Sequence, residues 1–209
     1  MEIYVTWIKI YVTTFRINIL WKLQKVKIGI SGVHGTGKST KILELAKEYK
    51  IEHKNKKIGI IQENIINCPY EINENTTALS QYWIISNQIV RELEYTKKYD
   101  IVLTDRTVFD PICYALANDI YEADSFLEYT KFYGYTYDKV ILIDGNNINY
   151  CYEDGIRSTG VDFRTKVNNI FIDLFTKLYN ENWIKNLEII KWIISIQKEI
   201  EYLLIMVLL

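Results

Sequence analysis

Apolar residues in this chain gather into short continuous runs, and between the runs they recur at helical spacing. Val26 to Ile30, Lys57 to Gln62, Tyr99 to Thr104, Lys139 to Asp144 and, more weakly, Leu187 to Trp192 read as β-strands. The stronger runs do not alternate apolar with polar residues, as expected of parallel strands covered on both faces. A helical pattern, Thr40 to Ala46, follows the first strand. Leu79, Tyr82, Trp83, Ile89, Val90 and Leu93 mark a helix between the second and third strands. Phe163, Val167, Ile170, Phe171, Leu174 and Leu178 mark another before the last. Asp110 followed by Pro111 reads as an N-cap with proline at the first helical position. This alternation predicts an α/β fold, a three-layer α/β/α sandwich around a parallel five-stranded sheet. Ligands of such sheets sit beyond the carboxyl ends of the strands, so chemistry is expected just after each strand.

The first strand runs into Gly32-Val33-His34-Gly35-Thr36-Gly37-Lys38-Ser39, a complete G-x-x-x-x-G-K-S sequence. Strand, loop and helix in that order make it a phosphate-binding loop rather than a glycine-rich turn. Its glycines free the backbone N–H groups to point at a phosphate. Lys38 adds a charge for the β- and γ-phosphates, and the Ser39 hydroxyl is placed for Mg²⁺. Gly32, His34, Gly35, Thr36, Gly37, Lys38, Ser39 and Thr40 are the expected nucleotide-binding set. His34 occupies a variable position of the loop, where its backbone is expected to matter more than its ring.

The third strand ends in Asp105-Arg106. An acid there suits the second Mg²⁺ contact, direct or through water, and Arg106 is placed to meet a phosphate or order the site. The second strand ends at Gln62-Glu63, where Glu63 could accept a proton from an acceptor hydroxyl or hydrogen-bond a sugar. A solvated loop glutamate is the alternative. Asp144 precedes Gly145 and suits a turn. The segment from Tyr152 to Arg164 is a glycine-punctuated loop with two arginines. Such a loop can close over a triphosphate, with Arg157 as the first candidate and Arg164 as the second. Gln81 could read a base edge with Trp83 stacking on it, although an aromatic at helical spacing is more often core.

Length, charge and cysteines narrow the class. The 209 residues suit one domain with a sizeable core. A net charge of −1 gives no electrostatic case for nucleic-acid binding. Three scattered cysteines, Cys68, Cys113 and Cys151, fit a reducing, cytoplasmic compartment. Residues 1–25 are apolar but interrupted by Lys9, Arg16 and Lys22. A membrane span needs roughly twenty apolar residues with few charges, so no transmembrane span is expected. The segment reads as an appendage to a domain over 26–209: an added strand, an oligomerisation arm that would make a homodimer, or non-native extra sequence. The apolar Ile200 to Leu209 reads as a docked terminal helix.

The phosphate loop, Asp105-Arg106 followed by Asp110, and the segment Tyr152-Glu-Asp-Gly-Ile-Arg157 together resemble the NadR-like AAA-domain kinase and ATPase family. That family is related to the deoxynucleoside and thymidylate kinases. The resemblance runs from about Val26 to Trp192. It implies a nucleoside and nucleotide kinase fold, with Asp105 and Arg106 as site acid and arginine and Arg157 in a lid. One departure is that Asn64 follows Glu63, without the Glu-Pro often found in deoxynucleoside kinases. The expected activity is phosphoryl transfer from ATP, with Mg²⁺, to a small-molecule acceptor such as a nucleoside or nucleotide. Lys38, Asp105, Arg106, Arg157 and Glu63 would carry it. The alternative is a regulatory ATPase acting on a partner, disfavoured because Arg106 rather than a second acid follows Asp105. A GTPase is weaker still, because Asn55-Lys56-Lys57-Ile58 lacks the acid that reads guanine.

Overall fold

A computed structural model describes residues 25–146 and 161–191. Residues 1–24 of the 1–25 appendage, the loop carrying Arg157 and the terminal segment after Lys191 lie outside the described residues. Five parallel strands form one sheet in the order β2-β3-β1-β4-β5. They are β1 (Val26–Ser31), β2 (Ile58–Ile61), β3 (Ile101–Asp105), β4 (Lys139–Asp144) and β5 (Leu187–Lys191). The helices are α1 (Lys38–Glu52), α2 (Ala78–Lys98), α3 (Asp110–Ala117), α4 (Ala123–Gly134) and α5 (Val161–Asn180). Parallel neighbours need crossovers, and every connection here carries helix.

Strand periodicity explains the layers. Successive side chains point to opposite faces. Ile28 and Ile30 of β1, Ile101 and Leu103 of β3, and Ile141 and Ile143 of β4 therefore pack together, with Ile42 of α1 over them. Val140 and Leu142 face the other way, into a core with Ile85 of α2, Ile112 of α3 and Val167, Phe171 and Phe175 of α5. The central strands β3 and β4 are buried nearly throughout, whereas β2 and β5 at the edges are only partly covered. The same alternation sets the site. Asp105 continues the face of Ile101 and Leu103 toward α1, and Thr104 points toward α2.

Two local expectations change. The helix over α2 is present, started by a capping box in which Thr77 and Ser80 exchange side-chain and backbone bonds. Of its six apolar marks, Ile89 packs against the core and Trp83 is half-buried, but the other four do not face it. Leu79, Tyr82, Val90 and Leu93 are exposed, while Ser80, Gln81, Ile85, Gln88 and Glu92 are buried. The physical reason is a polar network beneath the helix that requires partners from it. The N-cap of α3 falls on Phe109, not Asp110. The Asp110 carboxylate turns back instead, and Oδ2 accepts from the Thr107 amide at 2.8 Å and the Ser31 hydroxyl at 2.6 Å.

Candidate active site

The loop between β1 and α1 has the backbone that a phosphate cradle requires. Gly32 has φ 142°, and a Cβ there would stand 2.7 Å from the Ile143 carbonyl oxygen. A side chain is therefore excluded both by conformation and by the neighbouring strand. Gly37, at φ 75°, takes the left-handed turn that starts α1. Thr36 is buried and its hydroxyl donates to the Val33 carbonyl at 2.9 Å, tying the loop to itself. Lys38 Nζ lies 2.9 Å from the Gly32 carbonyl and 3.0 Å from that of Val33. Its ammonium is thus held over the loop that would wrap the phosphates. Ser39 and Thr40 are exposed in the first turn of α1.

His34 is buried, its amide donating to the Tyr114 hydroxyl at 3.3 Å and its Nδ1 3.1 Å from the same oxygen. Its carbonyl accepts from Arg164 Nε at 3.2 Å. Both ring and backbone therefore anchor the loop, and α5 reaches it through Arg164. Arg157 lies outside the described residues.

Asp105 meets Ser39 directly. Its Oδ2 accepts from the Ser39 hydroxyl at 2.6 Å, while buried Oδ1 has no hydrogen-bond partner among the described residues. A hydroxyl and a carboxylate on one side of a phosphate loop, with an unspent buried carboxylate oxygen, form a hard oxygen donor set. They fit Mg²⁺.

Arg106 follows in a left-handed conformation, φ 79°, with its amide on the Ile30 carbonyl at 2.9 Å. Its Nε pairs with Glu63, and its Nη1 lies 3.5 Å from Asp110 Oδ1. The Tyr114 ring backs the guanidinium at 5.4 Å. Glu63 lines two cavities at once. One opens beside Ser39, Leu43 and Asp105, and the other is walled by Trp83, Asn87, Arg91 and Arg106. Gln81 lines a further pocket with Ile65, Ile72 and Tyr114. Positions two apart on a helix do not face each other, and Gln81 and Trp83 accordingly line different pockets. Asp144 closes a turn, accepting from the Asn146 amide and Asn168 Nδ2, both at 2.9 Å.

A family model described as an AAA domain matches residues 27–186, most of the chain. The chain belongs to this AAA-domain family. Two thymidylate kinases share the fold of this AAA domain, one from Candida albicans and one from Ehrlichia chaffeensis. The first is 15% identical with a TM-score of 0.55, covering 80% of this chain and 84% of its own. The second is 14% identical with a TM-score of 0.55, covering 87% and 99%. No curated protein sequence matches. The domain is a P-loop fold of the nucleotide-kinase kind. No helix among the described residues is long and apolar enough to cross a membrane.

Tyr114 is a site residue with no local signal in the sequence, since a tyrosine in an apolar helix reads as core. In the sequence Asp110 marks a helix start and part of the family motif, but nothing local points to its partners Ser31 and Arg106. Burial raises its carboxyl above the usual carboxylate range, while Arg106 and the Ser31 bond pull it back down. For Lys38, burial and then the Arg106 charge push the ammonium down to about 8. The unfolded chain binds the extra proton between that value and 10.5, so burying Lys38 costs stability below pH 8 and the cost fades at higher pH. Polyphosphate binding has the opposite sign, because it favours the charged amine. ATP affinity measured by calorimetry is expected to be level up to about pH 8, then to fall toward tenfold per pH unit. A profile level to about pH 10 would show that Lys38 does not meet the phosphates.

Proposed function

We propose that this AAA domain transfers the γ-phosphoryl group of ATP to a hydroxyl of a small acceptor, a nucleoside, nucleotide or similar metabolite. The observation that carries the reading is the position of Glu63. With Asp105, it lines both the cleft beside Ser39 and an adjoining pocket walled by Trp83, Asn87 and Arg91. The P-loop amides and Lys38 would hold the β- and γ-phosphates. Ser39 and Asp105 would hold Mg²⁺, which when bound neutralises charge on the phosphates. Arg106 fixes the Glu63 carboxylate, and Glu63 would orient the acceptor hydroxyl and take its proton. Positioning and electrostatics supply most of the catalysis in such transfers.

The test is ADP release from ATP and Mg²⁺ against a panel of nucleosides, nucleotides and pyridine ribosides. Acceptor-dependent ADP release, with a phosphorylated acceptor recovered, is the expected result. ADP release at the same rate without any acceptor would assign the domain to ATP hydrolysis instead.

A further inference from the structure

Below the site lies a buried polar cluster that phosphate chemistry does not use. The Lys27 ammonium on β1 lies 2.6 Å from Glu92 Oε2 on α2, with side-chain exposures of 4% and 0%. Tyr133 and Tyr137 cover the ammonium with their rings. Burial pulls Lys27 below the ordinary lysine range, and Glu92 pulls it back up. A buried ion pair is a weak source of stability, because apolar residues of similar volume serve as well or better. What the second oxygen of Glu92 does is more informative.

Glu92 Oε1 accepts from Gln88 Nε2 and from the Tyr137 hydroxyl, each at 2.7 Å. Both donors reach on to the turn after β3. Gln88 Nε2 lies 2.6 Å from Thr104 Oγ1 and 3.2 Å from the Arg106 carbonyl, and the Thr104 hydroxyl donates to the same carbonyl at 3.0 Å. The Tyr137 hydroxyl accepts from the Val108 amide at 3.0 Å. Burial and then Glu92 raise the Tyr137 hydroxyl well above the usual phenol range, so it stays a donor to Glu92. Two arms thus grip the chain on either side of Thr107.

That turn needs gripping. A non-glycine residue at φ 79° persists only where its surroundings over-determine it. In this conformation Arg106 faces Glu63 and Asp110, and Asp105 faces Ser39.

We propose that Glu92, anchored by Lys27, is a positioning residue. Acting through Gln88 and Tyr137, it holds the 105–108 turn that presents Asp105 to the metal and Arg106 to Glu63. Glu92 itself touches neither nucleotide nor acceptor. The role rests on the phosphoryl-transfer reading for its effect on rate, but its effect on Mg²⁺ does not.

The test uses the full chain carrying Lys27→Met and Glu92→Leu together, which removes both charges while keeping the volume. This variant is expected to fold with a Tm lowered by several degrees, because the gain from removing a buried charge pair is offset by a Tyr137 hydroxyl left without its acceptor. Calorimetric ATP affinity without Mg²⁺ should stay unchanged, because the P-loop is intact. The gain in ATP affinity on adding Mg²⁺ should fall about tenfold, the loss typical of residues that orient a metal ligand. Acceptor-dependent kcat should fall at least as much, with KM for ATP less affected. A folded variant with an undiminished Mg²⁺-dependent gain overturns the proposal. If the double variant does not fold, Gln88→Leu and Tyr137→Phe each remove one arm, and an unchanged Mg²⁺-dependent gain in both overturns it equally. A parent protein whose ATP affinity does not respond to Mg²⁺ also overturns it. A parent that responds to Mg²⁺ but phosphorylates no acceptor sinks the kinase reading and leaves the positioning role to the affinity data.

Discussion

Lys38→Ala is expected to abolish ATP-dependent turnover, with kcat lowered on the order of 10²–10³-fold or more. The physical case is direct. Lys38 Nζ is buried and held within 3.0 Å of the carbonyls of Gly32 and Val33, at the mouth of the phosphate loop. In a site screened from water, one such cation offsets charge on the transferring group far better than it could in solvent. Alanine leaves the loop glycines and the Thr36 tie untouched, so the fold should survive. Removing a cation that is costly to bury should, if anything, leave thermal stability unchanged or slightly higher. The measurement is single-turnover phosphate transfer beside a thermal melt. A variant that melts like the parent and still turns over at the parental rate would remove the P-loop from the mechanism.

Glu63→Gln is the second large effect, and it separates acceptor chemistry from donor binding. Glutamine keeps the shape and can still accept from Arg106 Nε, while Arg106 retains Asp110 on its other side. The variant loses its ability to take a proton at the boundary between the two cavities that Glu63 lines. Acceptor-dependent kcat is expected to fall on the order of 10²–10⁴-fold, the usual worth of a positioned general base. ATP affinity should hold, because Glu63 is not part of the loop that wraps the phosphates. Equal losses in ATP affinity and in kcat would place Glu63 in nucleotide binding instead.

The difference between Lys38 and Glu63 in the sequence is instructive. Lys38 announces itself because the chemistry of a phosphate loop is local, with strand, glycines, lysine and helix all falling within a few turns of chain. Glu63 is ambiguous by the same criterion, since a glutamate at a strand end is as often solvated. Its ion pair shows that it is not a solvated glutamate. Arg106 lies 43 residues away, and only the pairing of β2 beside β3 brings the two together. The helix α2 shows a second kind of gap. Its period was readable, but its buried face was not, because the apolar stripe of Leu79, Tyr82, Val90 and Leu93 faces solvent. Beneath it, Glu92 meets a lysine 65 residues earlier in the chain. A hydrophobic count assigns the core to apolar residues and has no means of finding a polar network whose members are scattered.

By itself, then, the sequence determined what depends on neighbours in the chain. That includes a parallel α/β sheet from uninterrupted apolar runs, a phosphate loop from Gly32 to Ser39, and an acid and arginine at the end of β3. Tertiary structure alone decided how the polar groups were shared out. Tyr114 became the seat for His34 and Arg106, Asp110 turned from helix cap to partner of Ser31 and Arg106, and Glu92 became the hub under the turn. The reason is physical. An apolar side chain is satisfied by any dry neighbour, so its place can be read from pattern. A buried polar atom needs a particular partner at hydrogen-bond distance, and that partner is chosen by the fold.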